Sequence, residues 1–128
     1  MNRATFRKEL IKAMPGYNWT VHKPSPLCTD HNAFMSATGI KTSGFNRIST
    51  LAIERREGPS DYYKIAGVEY RAKSSGFGVR APWLGYGVGC TLLQALRSLQ
   101  THYEDMARKY ISHADDLQSA REKDHQKR

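Results

Sequence analysis

The sequence contains few cysteines, few acidic residues and no long apolar run. Among its 128 residues are two cysteines and 12 acidic side chains against 20 basic ones. Two cysteines do not make a disulfide framework, and residues 1–14 form a charged amphipathic segment rather than a cleavable apolar leader, so we expect a reducing, cytoplasmic compartment. No apolar run approaches the length of a membrane span, and we therefore expect no membrane partner.

Catalytic and metal-binding patterns are also missing. The five histidines lack a nucleophile or a carboxylate at a recognisable spacing, so the sequence predicts a protein that is not an enzyme. Cys28 and His31 stand at a metal-like spacing with His22 nearby, but a zinc site needs four ligands in paired short motifs. We therefore predict neither a metal nor a cofactor.

Positive charge is in excess, and it is concentrated in the first eighty residues. The formal net charge is +8; residues 1–24 supply five basic and one acidic side chain, and residues 41–80 supply eight and four. Residues 81–128 are nearly balanced, with seven basic and six acidic. Solubility alone is one explanation, since small domains commonly carry a net charge of about 2 to 8. The localisation favours a polyanionic partner, such as nucleic acid, anionic lipid or an acidic protein face.

Hydrophobic periodicity predicts one α+β domain over residues 1–118. We expect an N-terminal helix over residues 3–14, an antiparallel meander of four to five strands, and a long C-terminal helix over residues 91–121. The strand candidates, which are separated by turn sequences, are residues 17–22, 34–41, 46–56, 62–73 and 77–84. The polar residues 119–128 are predicted to form a disordered tail.

Local signals mark the ends and the apolar faces of both helices. Asn2 and Thr91 are the expected N-caps, and Phe6 and Leu10 lie on the apolar face of the first helix. The final helix carries an apolar seam at alternating steps of four and three residues: Leu92, Leu96, Leu99, Tyr103, Met106, Tyr110, His113 and Leu117. Because this helix is longer than the sheet, we expect its end to project and to pack on the first helix, a second copy or a partner.

A motif made of a hydroxyl pair, a glycine, a phenylalanine and a nearby arginine occurs twice, at residues 42–47 and 74–80. In one interpretation each Ser-Gly is a turn and the phenylalanine begins a strand with its ring in the core. In the other, both turns lie at the same end of the sheet, where hydroxyls, bared amides and arginines suit phosphates and unstacked bases. The candidate nucleic-acid-binding residues are then Lys41, Ser43, Arg47, Arg71, Lys73, Ser75 and Arg80.

Two further patterns concern packing of the sheet. Alternation along residues 46–56 places Arg47 on the same face as Ser49 and Leu51.

Residues 85–89 alternate glycine with larger residues just before the final helix, where backbone amides could hold a phosphate. Because the segment lacks the lysine and the hydroxyl residue of a nucleotide-triphosphate loop, tight packing of strand against helix is the favoured interpretation.

The order of a helix, an antiparallel sheet and a long closing helix, with basic residues outside, resembles double-stranded-RNA-binding domains. That resemblance implies binding to A-form shape through phosphate and 2′-hydroxyl contacts. Those domains carry a lysine cluster at the start of the last helix, whereas residues 89–94 here read Gly-Cys-Thr-Leu-Leu-Gln. Residues 43–103 also resemble small accessory proteins of bacteriophages and other mobile elements, some of which block host defence such as CRISPR effectors. This second resemblance rests on size and charge and transfers no site residue.

We therefore expect a non-enzymatic basic binding protein of phage or mobile-element type that docks on nucleic acid or a nucleoprotein complex. The alternative is an inhibitor or adaptor that acts on a protein, such as a host defence effector, through the long helix and exposed aromatic residues. The candidate anchors for a protein partner are Trp83, Tyr103, Met106 and Tyr110. A homodimer through the C-terminal helix is a third alternative.

Overall fold

The computed structural model describes residues 1–23, 33–59, 67–75 and 83–126, and in the last of these segments the described side chains are those of residues 85–122. Within these residues there are two helices and one five-stranded antiparallel sheet, so the predicted α+β class is confirmed. In chain order the elements are α1 (Arg3–Ala13), β1 (Asn18–Val21), β2 (Phe34–Ser43), β3 (Asn46–Gly58), β4 (Gly67–Ser75), β5 (Trp83–Gly89) and α2 (Leu92–Gln126).

The sheet is a simple meander, because each strand pairs with the next one in the chain. The largest differences from the predicted boundaries concern the last strand and the last helix. The last strand begins at Trp83 and includes the glycine-rich segment, while the predicted strand residues 77–82 and 62–66 lie outside the described residues. Helix α2 continues to Gln126, into the region that the sequence predicts to be a polar tail.

Helix α1 begins at the expected cap and covers one edge of the sheet. The Asn2 side chain accepts a hydrogen bond from the Thr5 amide at 2.8 Å, which satisfies one of the unpaired donors of the first turn. From the same helix, Arg3 and Arg7 each donate a hydrogen bond, at 3.2 Å, to backbone carbonyls of β1. Because β1 is an edge strand, these guanidinium groups block its free edge against pairing with another chain.

Both helices pack on the same face of the sheet, which we call the covered face. One cluster of buried side chains from the helices and from β1 to β4 forms the core there: Phe6, Leu10, Trp19, Val21, Met35, Ala37, Leu51, Ile53, Tyr70, Ala72, Leu92, Ala95 and Leu99. The predicted inward face of α1 is confirmed, because Phe6 and Leu10 are buried. We call the opposite face, which neither helix covers, the open face.

Alternate glycines let α2 lie directly on β5. A Cβ atom added at Gly87 would lie 2.5 Å from the Ala95 carbonyl oxygen, and one added at Gly89 would lie 2.6 Å from the Gln94 Cβ atom. Both distances are shorter than van der Waals contact, so any larger residue would force the helix away. The interpretation of these glycines as packing residues is confirmed.

A polar network occupies one end of the covered face. Buried Arg55 donates from Nε to the Tyr70 hydroxyl at 3.2 Å and from a terminal nitrogen to Glu57 at 3.0 Å, and the Tyr70 hydroxyl donates to Glu9 at 3.3 Å. Burial raises the pKa of Tyr70. Burial alone would lower the pKa of Arg55, but its hydrogen bonds to Glu57 and Tyr70 outweigh that effect and the pKa lies above the ordinary value. The network ties α1 to β3 and β4 (Glu9, Arg55, Tyr70).

Candidate nucleic-acid interface

The open face carries a row of side chains that crosses four strands. The strand register places Thr38 beside Ala52, Ala52 beside Lys73, and Lys73 beside Tyr86. Adjacent strands lie about 4.8 Å apart, so the row is about 14 Å long. The small side chain of Ala52 leaves a depression in the middle of the row. Tyr86 lies at one end of the row, with 71% of its surface exposed.

A β-bulge brings Arg47 to the open face. Lys41 pairs with Ser49, but the next residue of β2, Thr42, pairs with Arg47, so β3 contains one extra residue at this point. Such an insertion reverses the faces of the residues beyond it. The prediction that Arg47 shares a face with Ser49 and Leu51 is therefore wrong, because strict alternation takes no account of a bulge.

Two adjoining cavities form one groove along the open face. The larger has a volume of about 410 Å³ and is lined by residues that include His22, Thr38, Arg47 and Lys73. The smaller, of about 360 Å³, is lined by Ala52, Glu54, Arg56, Arg71, Ala72, Lys73 and Tyr86. Because Ala52, Glu54 and Lys73 line both cavities, the two cavities adjoin along the open face.

The groove is positively charged. Among its described side chains, four are cationic (Arg47, Arg56, Arg71 and Lys73) and one, Glu54, is anionic, with Glu69 beside Arg71. Each carboxylate pairs with an arginine, Glu54 with Arg56 at 3.0 Å and Glu69 with Arg71 at 2.6 Å. The hydrogen bond to Glu69 raises the pKa of Arg71. Arg47 pairs with no carboxylate in the described part of the chain, which leaves its charge available to a ligand.

Polar groups form the far end of the groove. Thr50 and Ser75 pair across β3 and β4 and are both buried, so they lie at the floor rather than at the rim. The Nε2 atom of His22 lies 2.7 Å from the Thr38 hydroxyl. These hydroxyl and imidazole groups can donate hydrogen bonds to phosphate or sugar oxygens in the groove.

The first copy of the duplicated motif forms the turn between β2 and β3. Gly44 has φ of +61°, a left-handed conformation that favours glycine, and Phe45 beside it is fully exposed. The interpretation that places this ring in the core is therefore wrong for the first copy. Ser75 pairs with Thr50, so β4 leaves the sheet at the end where this turn lies, but residues 76–82 of the second copy are outside the described residues.

The described residues among those predicted to bind nucleic acid lie in three different places. Arg47, Arg71, Lys73 and Ser75 line the groove or its end. Lys41 lies on the covered side, because it pairs with Ser49, whose hydroxyl accepts a hydrogen bond from Tyr17 there. Ser43 is exposed at the turn, next to Gly44. Arg80 lies outside the described residues.

Several residues of the groove were not predicted as binding residues, among them Tyr86, Arg56 and His22. A signal for Tyr86 was present, because a strand that turns three alternate glycines toward a helix must turn the residues between them to the opposite face. No comparable local signal marks Arg56 or His22, whose positions depend on pairing with distant strands.

The predicted protein anchors on α2 become more exposed along the helix. Tyr103 packs against the core, and its hydroxyl makes a short hydrogen bond to Ser74 and a second one to the Ser74 carbonyl at 3.3 Å. Met106 is half-buried and Tyr110 is exposed, one turn further along α2. The Trp83 backbone begins β5, and its side chain lies outside the described residues.

Comparison of the chain with protein-family models, with curated proteins and with solved structures gave no match. In the described part of the chain, neither helix combines the length and the apolar composition that crossing a bilayer requires.

Proposed function

We propose that the chain binds single-stranded nucleic acid across the open face of its sheet, without catalysing a reaction. Arg47 and Lys73 contact backbone phosphates in the groove, Arg71 extends the same contact surface, and the Tyr86 ring stacks on an unpaired base. Affinity then comes from phosphate neutralisation and from stacking, neither of which requires a particular sequence.

The observation that carries the proposal is the exposed Tyr86 ring beside Lys73. An aromatic ring with 71% of its surface exposed contributes little to folding, and here it lies at the rim of a groove lined by Arg56, Arg71 and Lys73. Stacking of a base on such a ring contributes about 1 to 3 kcal/mol.

The shape of the groove favours a single strand over a duplex. In a duplex the bases are already stacked on each other, so only their edges are accessible in the grooves. A sheet surface about 14 Å wide cannot enter the major groove of B-DNA, about 12 Å across, which admits a helix or a two-stranded ribbon. Unstacked bases of a single strand can lie flat on a sheet and stack on its aromatic side chains.

The experiment compares two double variants that remove the same charge from opposite sides of the molecule. Arg47→Ala with Lys73→Ala changes the groove, whereas Lys8→Ala with Lys12→Ala changes the exposed side of α1. Binding to labelled single strands and to duplexes is measured by fluorescence anisotropy at several salt concentrations. We expect the groove variant to lose about tenfold or more in affinity and to reduce the salt slope by about 2.

The matched α1 variant distinguishes binding at the groove from general attraction of nucleic acid to a basic protein. We expect it to bind a single strand nearly as well as the unmodified chain. Equal losses in the two variants, an affinity that does not respond to salt, or tighter binding to duplex than to single strand would each contradict the proposal.

A second candidate function is supported by the exposed aromatic ring at the β2–β3 turn. Phe45 is fully exposed, and such rings are frequent anchors at protein interfaces. On this alternative the chain is a phage or mobile-element inhibitor or adaptor that binds a host defence protein. Phe45→Ala should then abolish recovery of a protein partner from nuclease-treated host extract, while the groove variant should retain it. The opposite pattern would favour nucleic-acid binding.

A further inference from the structure

A carboxylate lies in the middle of a groove whose other charged side chains, among the described residues, are cationic. Glu54 lines both cavities of the open face, and the strand register places it between Ser36 of β2 and Arg71 of β4. Its side chain is 34% exposed, so a molecule that enters the groove can contact it. A site that binds only phosphates gains nothing from a negative charge at its centre, because the two anions repel each other.

The ion pair with Arg56 uses only part of the hydrogen-bonding capacity of Glu54. Arg56 donates a hydrogen bond to the Oε2 atom of Glu54 at 3.0 Å. A carboxylate has about four lone-pair sites on its two oxygens, and it accepts hydrogen bonds without donating any. Glu54 can therefore accept a further hydrogen bond from a ligand, provided that the ligand presents an O–H or N–H group at this point.

A single strand of nucleic acid carries two kinds of hydrogen-bond donor. Its phosphodiester groups accept hydrogen bonds but have no proton to donate. Donors occur on the edges of the bases, in DNA and RNA alike, and at the ribose 2′-hydroxyl, which only RNA has. The group that meets Glu54 depends on whether a base or the sugar–phosphate backbone passes this side chain.

Distances across the sheet separate Glu54 from the base that stacks on Tyr86. Tyr86 pairs with Lys73 and Lys73 pairs with Ala52, so Tyr86 is two strands away from β3, and Glu54 lies two residues beyond Ala52. At about 4.8 Å per strand and about 3.4 Å per residue, the Cα atoms of Tyr86 and Glu54 are about 12 Å apart. The stacked base is therefore not the part of the ligand that meets Glu54.

The sugar–phosphate backbone is the part that passes Glu54. Arg47 and Lys73, the proposed phosphate contacts, line the larger cavity together with Ala52 and Glu54. A strand held by these two cations crosses the Ala52 depression, and Glu54 is the next residue of β3 on the same face. The sugars of the bound strand therefore lie beside the carboxylate.

We propose that the single strand bound in the groove is RNA, and that Glu54 selects it by accepting a hydrogen bond from a ribose 2′-hydroxyl. The inference rests on the proposed function, because it concerns the ligand of the same groove. In DNA the 2′-carbon carries only hydrogen, so the carboxylate repels the nearby phosphates with no compensating hydrogen bond. Glu54 thus favours RNA by attraction and disfavours DNA by repulsion, and both effects contribute to specificity.

Ser36 supplies the second half of a site for a hydroxyl group. It pairs with Glu54 across β2 and β3 and lines the larger cavity. Side chains of directly opposed residues have Cβ atoms about 4.5 to 5.5 Å apart, so one small group can contact both. A 2′-hydroxyl both donates and accepts hydrogen bonds. It can donate to the Glu54 carboxylate while its oxygen accepts from the Ser36 hydroxyl.

Three labelled uridine oligomers of equal length, which differ only at the 2′ position, test the inference. One carries ribose, one carries deoxyribose and one carries 2′-fluororibose, which resembles ribose in shape but has no 2′ proton to donate. Binding to the full chain is measured by fluorescence anisotropy at one salt concentration. Because the base is the same throughout, we expect the ribose oligomer to bind about tenfold more tightly than either of the others.

Two variants that each remove one carboxylate of the open face locate the preference. Glu54 and Glu69 each pair with an arginine two residues away on the same strand, so Glu54→Met and Glu69→Met lose the same charge and the same kind of ion pair. Glu54→Met should bind the three oligomers within about twofold of one another. Glu69→Met should retain the preference for ribose, since Glu69 is not among the described residues that line the two cavities.

The outcomes distinguish the choice of ligand from the proposed function. Equal binding of the three oligomers would overturn the selection of RNA and leave single-strand binding intact, whereas a chain that bound none of them would overturn both. A preference for ribose that persisted in Glu54→Met would also overturn the inference.

Cytidine oligomers test the base as the alternative source of the donor, because cytosine has an amino group that uracil lacks. If Glu54→Met changed the ratio of cytidine to uridine affinity and left the ratio of ribose to deoxyribose affinity unchanged, Glu54 would bind a base and the inference would be wrong. Thermal unfolding checks that each variant is folded, and the comparison of ribose with 2′-fluororibose in the unmodified chain needs no variant.

Discussion

The two faces of β5 have opposite side-chain requirements, although the residues that form them alternate along one short strand. On the covered face Gly85, Gly87 and Gly89 leave no room between strand and helix. On the open face, Tyr86 and Val88 have 71% and 42% of their surfaces exposed. The covered face therefore requires residues without a side chain, whereas the open face carries large side chains that folding does not bury.

The arginines on the two faces of the sheet differ in burial and in the partners that they bind. Arg55 is buried on the covered face and connects β3 to β4 and α1 through Tyr70. Arg71 is exposed on the open face and pairs with Glu69 on its own strand. A buried polar group must keep its hydrogen bonds to remain stable, whereas an exposed one can exchange its partner for water or a ligand. The hydrogen bonds of the covered face therefore stabilise the fold, whereas the polar groups of the open face can exchange their partners.

The largest expected effect is the loss of stability when a side chain is added on the covered face. Gly87→Val should destabilise the chain by about 3 kcal/mol or more, because its Cβ would lie 2.5 Å from the Ala95 carbonyl oxygen, a backbone atom that cannot turn aside. Gly16→Ala is the control, since no atom beyond its chain neighbours lies within 4 Å of the position of its Cβ. Urea unfolding measures the free energy of unfolding of both variants. A Gly87→Val chain as stable as the control would refute the close contact of α2 with β5.

A smaller difference in the free energy of unfolding is expected between variants of the arginines on the two faces. Arg55→Met removes hydrogen bonds to Tyr70 and Glu57 at a buried site and should cost about 1 to 3 kcal/mol of stability. Arg71→Met removes an exposed ion pair and should cost about 0.5 kcal/mol or less. Thermal unfolding of the two variants under the same conditions compares them directly. Equal losses would mean that burial does not distinguish the two faces.

The smallest expected effect concerns the open face alone. Tyr86→Ala should leave the unfolding midpoint nearly unchanged and weaken binding to a single strand by about tenfold, which corresponds to about 1.4 kcal/mol. Tyr110→Ala, which removes an exposed ring from α2, is the matched control and should bind as the unmodified chain does. Anisotropy at low protein concentration measures both variants. If Tyr86→Ala bound as well as Tyr110→Ala, the stacking role of Tyr86 would have to be abandoned.

Much of the fold could be predicted because its signals are local. The Asn2 cap and the inward positions of Phe6 and Leu10 follow from contacts between residues three or four apart, and the structure contains all of them. The interpretation of the glycines of residues 85–89 as packing residues is also confirmed; it rests on a local feature, the absence of the lysine and the hydroxyl residue of a nucleotide-triphosphate loop.

The candidate site was predicted only in part, because its geometry depends on long-range pairing. Arg71 and Lys73 lie on the open face as their strand implies, but Arg47 reaches it only through the bulge opposite Lys41. Tyr86 was not predicted as a binding residue, although it completes the groove. A one-residue shift in pairing turns a side chain to the other face, and the sequence of β3 carries no local mark of that shift.

By itself the sequence determined the α+β class, the meander of strands, the excess of positive charge and the apolar seam of α2, since composition and periodicity act within short stretches of chain. Only the tertiary structure decided which cations share a face with Tyr86, and where the seam leaves the sheet. Those outcomes depend on strand register and on the length of the helix relative to the sheet, which are set by contacts between residues far apart in the chain.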